Sequence, residues 1–211
     1  MEKGKYIVIE GQDGTGKSTQ VNKLAEYLRQ DHGIESFVAE EPAGTPIADE
    51  IRTLIKDGSL ERTPETNLLL FTAARHEIWQ RASQELKLGK WALSSRNYIS
   101  TLAYQGSGEG LSPELILDLT EKFTDHNYMN PDKTIILSML DSKKRQDRIG
   151  QRGELTNPDT FESKPNTFQK KVNSAYLEIA ERNGYDVIDA GSPIDEVFAD
   201  IKSSLKSVLS Q

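Results

Sequence analysis

A chain of 211 residues, 36% hydrophobic and 28% charged, is long enough to bury a full core and has the composition of one ordinary globular domain. Its net charge of −7 spreads no basic field for nucleic acid to follow, so an anionic ligand has to be met by a local cluster of cations. Cysteine is absent, which excludes disulfides and thiolate metal sites; with no signal-peptide core and no apolar run of membrane-spanning length, the expected compartment is the cytoplasm, with no membrane partner.

Tyr6-Ile7-Val8-Ile9-Glu10 is short, apolar and rich in strand formers, which predicts a first strand. It runs directly into Gly11-Gln12-Asp13-Gly14-Thr15-Gly16-Lys17-Ser18-Thr19, which fits the spacing G-x-x-x-x-G-K-[ST] of a phosphate-cradling loop. Glycines let backbone N–H groups turn inward around phosphate oxygens, because no Cβ obstructs the positive φ angles required. Lys17 is placed to reach the β- and γ-phosphates of a bound nucleotide, and the Ser18 hydroxyl to ligate Mg²⁺. Val21, Leu24, Ala25 and Leu28 then recur at helical spacing, so a helix follows whose N-terminal partial positive charge faces the same anion.

Residues 34–39 predict a second strand, ending at Glu40-Glu41-Pro42. Pro46 opens a helix with Ile47, Ile51, Leu54 and Ile55 as an apolar stripe. Thr63-Pro64-Glu65 reads as a cap with a first-turn proline, starting a long helix over about 65–88 that Gly89 closes. Further strands are predicted over 91–95, 134–140 and 186–189, and helices over 112–125, 141–151, 166–182 and 193–209. This alternation predicts an α/β fold, a five-stranded parallel sheet wrapped by helices, in one P-loop domain spanning 1–211.

Ligands of such a sheet gather beyond the carboxyl ends of its strands, which singles out Glu41, Arg96, Asp141 and the 190–192 turn. Arg145, Arg148 and Arg152 cluster after the fourth strand, and residues 148 and 152 lie one helical turn apart. With Gly153, Pro158 and Pro165 following, the segment at about 142–165 fits either a lid carrying arginines or a solvated basic helix face; a phosphate site favours the lid, since phosphoryl transfer needs cations and the exclusion of water.

These pieces resemble the thymidylate kinases, from the P-loop to the last strand. The most specific match is Ser100-Thr101-Leu102-Ala103-Tyr104-Gln105-Gly106. Others are Glu41-Pro42-Ala43-Gly44-Thr45-Pro46-Ile47-Ala48 with Ile51-Arg52, then Leu69-Leu70-Phe71-Thr72-Ala73-Ala74-Arg75, then Arg148-Ile149-Gly150-Gln151-Arg152-Gly153-Glu154. The resemblance implies transfer of the γ-phosphoryl of ATP to dTMP with Mg²⁺, by a homodimer packed through helices flanking the acceptor site. It implies Phe71 stacked on thymine, Arg75 on the base edge, Thr101 and Gln105 offered to the pyrimidine, and Tyr104 beneath the deoxyribose. It further implies Arg52 and Arg96 on the acceptor phosphate, Asp13 near the sugar 3′-hydroxyl, Glu41 at the acceptor site, and Lys17, Arg148 and Arg152 on the migrating group.

The chain departs from that pattern in several places. Ser95 stands where the family usually has Asp, Glu40 where bacterial relatives often have Arg, Ala43 for a glycine and Ala74 for an acid; Asp159-Thr160-Phe161-Glu162 carries Thr for Arg. The loss of a carboxylate near Mg²⁺ keeps two alternatives open: a kinase for another pyrimidine deoxynucleoside monophosphate such as dUMP, and a nucleotide-binding protein with weak catalysis.

Overall fold

The computed structural model describes residues 3–139, 141–150, 161 and 164–210. In chain order the elements are β1 (Tyr6–Gly11), α1 (Lys17–His32), β2 (Ser36–Glu40), α2 (Pro46–Lys56), α3 (Pro64–Lys87), β3 (Trp91–Ser95), α4 (Tyr98–Thr101) and a π-helical segment (Leu102–Gly108). There follow α5 (Pro113–Phe123), α6 (His126–Met129), β4 (Lys133–Ser138), α7 (Ser142–Gly150), α8 (Asn166–Asn183), β5 (Asp186–Asp189), α9 (Ile194–Ser204) and α10 (Lys206–Leu209).

The five strands form one parallel sheet in the order β2-β3-β1-β4-β5, as the alternating pattern predicts. β1 lies at the centre and every residue in it is buried, because helices cover both faces. Successive side chains point to opposite faces, so Tyr6 and Val8 join Trp79, Val172 and Tyr176 on one side, while Ile7 and Ile9 join Val21, Leu24 and Ile201 on the other. Each fully buried Ile or Leu removes enough apolar surface from water to contribute about 1.5–3 kcal/mol.

Three helices start alike. Thr45, Thr63 and Ser112 each accept a hydrogen bond from a first-turn N–H, and each is followed by the proline that opens its helix. The strand ends shift slightly from expectation. β2 runs to Glu40, held in register with Ser95, β4 ends at Ser138, and the last predicted helix breaks at Leu205. The stripe on α2 is only partly buried: Ile55 is 3% exposed, but Ile47 is 56% and Leu54 48% exposed, since α3 covers one side of that helix alone. The π-helical turn over 102–108 packs against α8 so closely that a Cβ on Gly108 would lie 2.5 Å from the Phe168 ring. Among the described residues, no helix is long and apolar enough to cross a membrane.

Candidate active site

A cleft opens at the carboxyl ends of β2, β3 and β1, where the sheet geometry predicts it. The loop after β1 forms its floor. A Cβ on Gly11, at φ +136, would sit 2.2 Å from the Leu137 carbonyl oxygen, and one on Gly14, at φ +84, 2.9 Å from that of Arg145, so both positions need glycine. Thr15 closes the turn by donating its hydroxyl to the Gln12 carbonyl at 2.8 Å. The Lys17 ammonium donates to the same carbonyl at 2.8 Å, which keeps a nearly buried charge at the loop. Ser18, the next residue of α1, donates its hydroxyl to Glu40 Oε1 at 2.8 Å.

Arg96 faces this loop from the end of β3. Its φ of 79 is left-handed, which costs a non-glycine residue roughly 1–2 kcal/mol. The turn is held on both sides: the Arg96 N–H donates to the Ile9 carbonyl, and Glu10 ties down Asn97 and Ser100. Glu10 is wholly buried and accepts from the Asn97 N–H at 2.7 Å, the Ser100 N–H at 3.0 Å, the Ser100 hydroxyl at 2.7 Å and the Tyr176 hydroxyl at 3.1 Å. Thus anchored, Arg96 donates to the Gly11 carbonyl at 3.2 Å and pairs with Asp13. Burial alone would push the Asp13 carboxyl up, but the charges of Arg96 and Lys17, with the Tyr104 hydroxyl at 2.9 Å, hold it well below the usual carboxylate range.

The deeper half of the cleft is a buried network. Arg75, 2% exposed, donates from Nε to Glu41 Oε2 at 3.1 Å and to the Tyr128 hydroxyl at 2.7 Å, and from Nη2 to the Thr101 hydroxyl at 2.8 Å. Tyr128 donates to Glu41 Oε1 at 2.7 Å. Burial pushes the Glu41 carboxyl up, and the Arg75 charge and Tyr128 hydroxyl offset this only in part. Nη1 of Arg75 is buried with no hydrogen-bond partner among the described residues, an orphaned donor on a residue that lines the cleft. Phe71, one turn earlier on α3, lines the same cleft, its ring centroid 6.0 Å from that of Phe161. Tyr104 and Gln105 lie on the π-helical segment and Arg52 on α2, all lining the cleft. Thr101 closes α4 and lines the cleft as well, and Gln105 donates to Glu109 at 3.3 Å.

Of the three arginines expected on a lid, Arg145 touches the loop, donating to the Asp13 carbonyl at 3.2 Å, while Arg148 donates to the Ala190 carbonyl at 2.9 Å. Arg152 and most of the segment 151–163 lie outside the described residues. Sequence reasoning missed Glu10, Ser100, Tyr128 and Tyr176; the one visible signal was an acid closing an apolar strand just before the glycine loop. Among the described residues no three His, Asp or Glu side chains converge to hold a metal, so a cation here would share its oxygen ligands with phosphates, as Mg²⁺ ordinarily does.

Comparison with known proteins points one way. The sequence model of the family described as Thymidylate kinase matches residues 9–201. A thymidylate kinase of Ectopseudomonas mendocina is 40% identical over 98% of this chain and 97% of its own, and one of Alkalilimnicola ehrlichii is 35% identical over 100% of this chain and 96% of its own. The crystal structure of thymidylate kinase from Ehrlichia chaffeensis aligns with a TM-score of 0.75 at 28% identity, covering 97% of this chain and 99% of that one.

Proposed function

The chain belongs to the thymidylate kinase family, and on that premise we propose how its own residues divide the work. It phosphorylates dTMP to dTDP with ATP as donor. An oxygen of the dTMP phosphate attacks the γ-phosphorus, the bond to the β–γ bridging oxygen breaks, and ADP leaves with that electron pair. The attacking oxygen is already anionic, so no strong general base is needed; alignment and charge neutralisation carry the rate.

One observation supports this most directly: Lys17 and Arg96 reach carbonyls of neighbouring loop residues, Gln12 and Gly11, so two cations flank one short gap. Lys17 and the loop N–H groups hold the donor phosphates. Arg96 and Arg52 hold the acceptor phosphate, Arg96 exchanging its Asp13 contact for phosphate oxygens. Arg148 and Arg152 close over the transferred group as the segment at about 142–165 folds down as the lid of a single kinase domain. Thymine lies against Phe71 with its edge toward the orphaned Nη1 of Arg75, near Thr101 and Gln105, while Tyr104 packs under the deoxyribose and Asp13 reaches the 3′-hydroxyl. Glu41 acts through Arg75, fixing its plane.

The oxygen donors at Ser18 fit a hard cation, and Mg²⁺ bound there would neutralise the β- and γ-phosphate charge. Ile47 and Leu54 on α2 and Leu69 on α3 remain exposed beside the acceptor site, which supports a homodimer packed through these helices. A cysteine-free chain suits the cytoplasm. The test is a coupled assay of dTMP, dUMP, dCMP, dAMP and dGMP under equal conditions. Selective turnover of dTMP is expected, and equal rates on the purine acceptors would sink the base-slot assignment.

A further inference from the structure

P-loop phosphotransferases hold Mg²⁺ between the loop's Ser or Thr hydroxyl and a carboxylate at the end of a nearby strand. In this chain β3, the strand beside β1 on that side, ends in Ser94-Ser95, so its last residue carries a hydroxyl and no carboxylate. A serine binds a cation through an oxygen lone pair while keeping its own proton, and that proton needs an acceptor pointing away from the metal.

Among the described residues, Glu10 sits beneath the loop and Asp13, Glu40 and Glu41 line the cleft, and three of these four are committed. Glu10 accepts from the Asn97, Ser100 and Tyr176 groups, Asp13 is paired with Arg96 and Tyr104, and Glu41 is enclosed by Arg75 and Tyr128. Glu40 is the fourth. It is exposed to the cleft, makes no ion pair among the described residues, and accepts the Ser18 hydroxyl at 2.8 Å. It also ends β2 in direct register with Ser95, so the two side chains leave the same face of adjoining strands, about 4.8 Å apart. Glutamate's extra methylene, relative to aspartate, lets a carboxylate one strand farther from the loop still reach Ser18.

We propose that Glu40 is the carboxylate that fixes the divalent cation at Ser18, moved to the neighbouring strand from the position Ser95 occupies. It takes the Ser18 proton in a hydrogen bond, turns the Oγ lone pairs toward the cation, and supplies through a bridging water the negative charge that β3 lacks. Glu40 is thus a positioning residue for the cation, not a group that touches the migrating phosphoryl. This rests on the ATP- and Mg²⁺-dependent kinase reading of the site.

The probe is Mn²⁺, whose free-ion EPR signal reports binding without turnover, titrated into the complex of the full chain with ADP. Nucleotide affinity is measured separately in EDTA by calorimetry. Glu40→Gln keeps the shape and an acceptor but removes the charge; it is expected to weaken Mn²⁺ binding about 10- to 100-fold and leave ADP affinity in EDTA unchanged. Adding Ser95→Asp to that variant returns a carboxylate to the adjoining strand and is expected to recover most of the loss. Parental Mn²⁺ affinity in Glu40→Gln, or a loss that Ser95→Asp does not recover while both variants bind ADP normally in EDTA, overturns the proposal alone. Failure of the parent chain to bind ADP at all would overturn the kinase reading, and this inference with it.

Discussion

The glycine loop at 11–19, proposed to hold the donor, is shaped by consecutive backbone atoms, whereas the proposed acceptor pocket is built from side chains as distant in sequence as Glu41, Arg75, Thr101 and Tyr128. In the loop, conformation is the demand, and glycine meets it at positions 11 and 14. In the pocket each polar group is the partner of the next, and burial makes any unpaired member expensive. The difference predicts that substitutions in the loop remove chemistry and spare the fold, while substitutions in the pocket remove both.

The strongest way to break that contrast is at the two cations facing the gap. Lys17→Ala is expected to lower kcat about 10³-fold by removing a preorganised charge from the transferred phosphoryl. Its melting temperature should stay within a few degrees of the parent's, because the loop is shaped by its glycines and the Thr15 bond to Gln12 rather than by the lysine. Arg96→Ala should lose as much activity and also some stability, since it leaves Asp13 without its ion-pair partner while the turn still demands a positive φ. Steady-state kinetics with parallel thermal melts decide this. A Lys17→Ala protein that melts as early as Arg96→Ala would erase the distinction between the two regions.

The same contrast explains what could be read from the sequence. The strand, the glycine loop and the following helix are contiguous, and their signals are local: apolar β-formers, positive-φ glycines and helical spacing. The sheet was legible for the same reason, through runs such as 6–10 and 91–95 that are buried on both faces. Glu10 was not, because an acid at a strand end reveals nothing until the turn carrying Asn97 and Ser100 folds back over it and Tyr176 arrives from α8. Tyr128 was missed likewise: it sits on a four-residue helix with no pattern, and its role exists only beside Glu41 and Arg75. The α2 stripe was legible as apolar, but helical spacing cannot say that only Ile55 would turn fully inward. The widened turn at 102–108 was also beyond reach, since its geometry answers to α8 rather than to its own residues.

Arg75→Ala sharpens the pocket's side of the contrast. Removing one member of a buried, hydrogen-bonded pair leaves Glu41 uncompensated, which costs about 3–5 kcal/mol at neutral pH. If Arg75 donates to the base edge as proposed, KM for dTMP should rise along with the loss of stability. The pH dependence has a definite sign. Burial already pushes Glu41 above the ordinary carboxylate value, and without the Arg75 charge it moves higher still. A group whose folded pKa is raised contributes stability below its unfolded pKa and loses it as pH rises through the folded one. Urea melts should therefore show a larger deficit for Arg75→Ala at pH 8 than at pH 5, and a deficit independent of pH would mean that Glu41 is not the group left behind.

Asp13 offers the smallest effect and the sharpest boundary, because its backbone belongs to the glycine loop while its carboxylate pairs with Arg96 and accepts from Tyr104. The Arg96 and Lys17 charges outweigh the effect of burial and hold it well below the ordinary carboxylate value. A depressed carboxylate contributes stability that is present above its unfolded pKa, near 3.9, and is lost as pH falls toward the folded value. The parent should thus lose stability on acidification below about pH 4 more steeply than Asp13→Asn, which has no proton to take up there. Solvent reaches this pair, so the difference in slope is modest and shrinks with added salt. Acid-limb denaturation of both proteins at low and high ionic strength measures it. Equal slopes would show that the Asp13–Arg96 contact carries no net stability, and that this loop residue behaves like its neighbours, as conformation rather than as a member of the pocket's charge network.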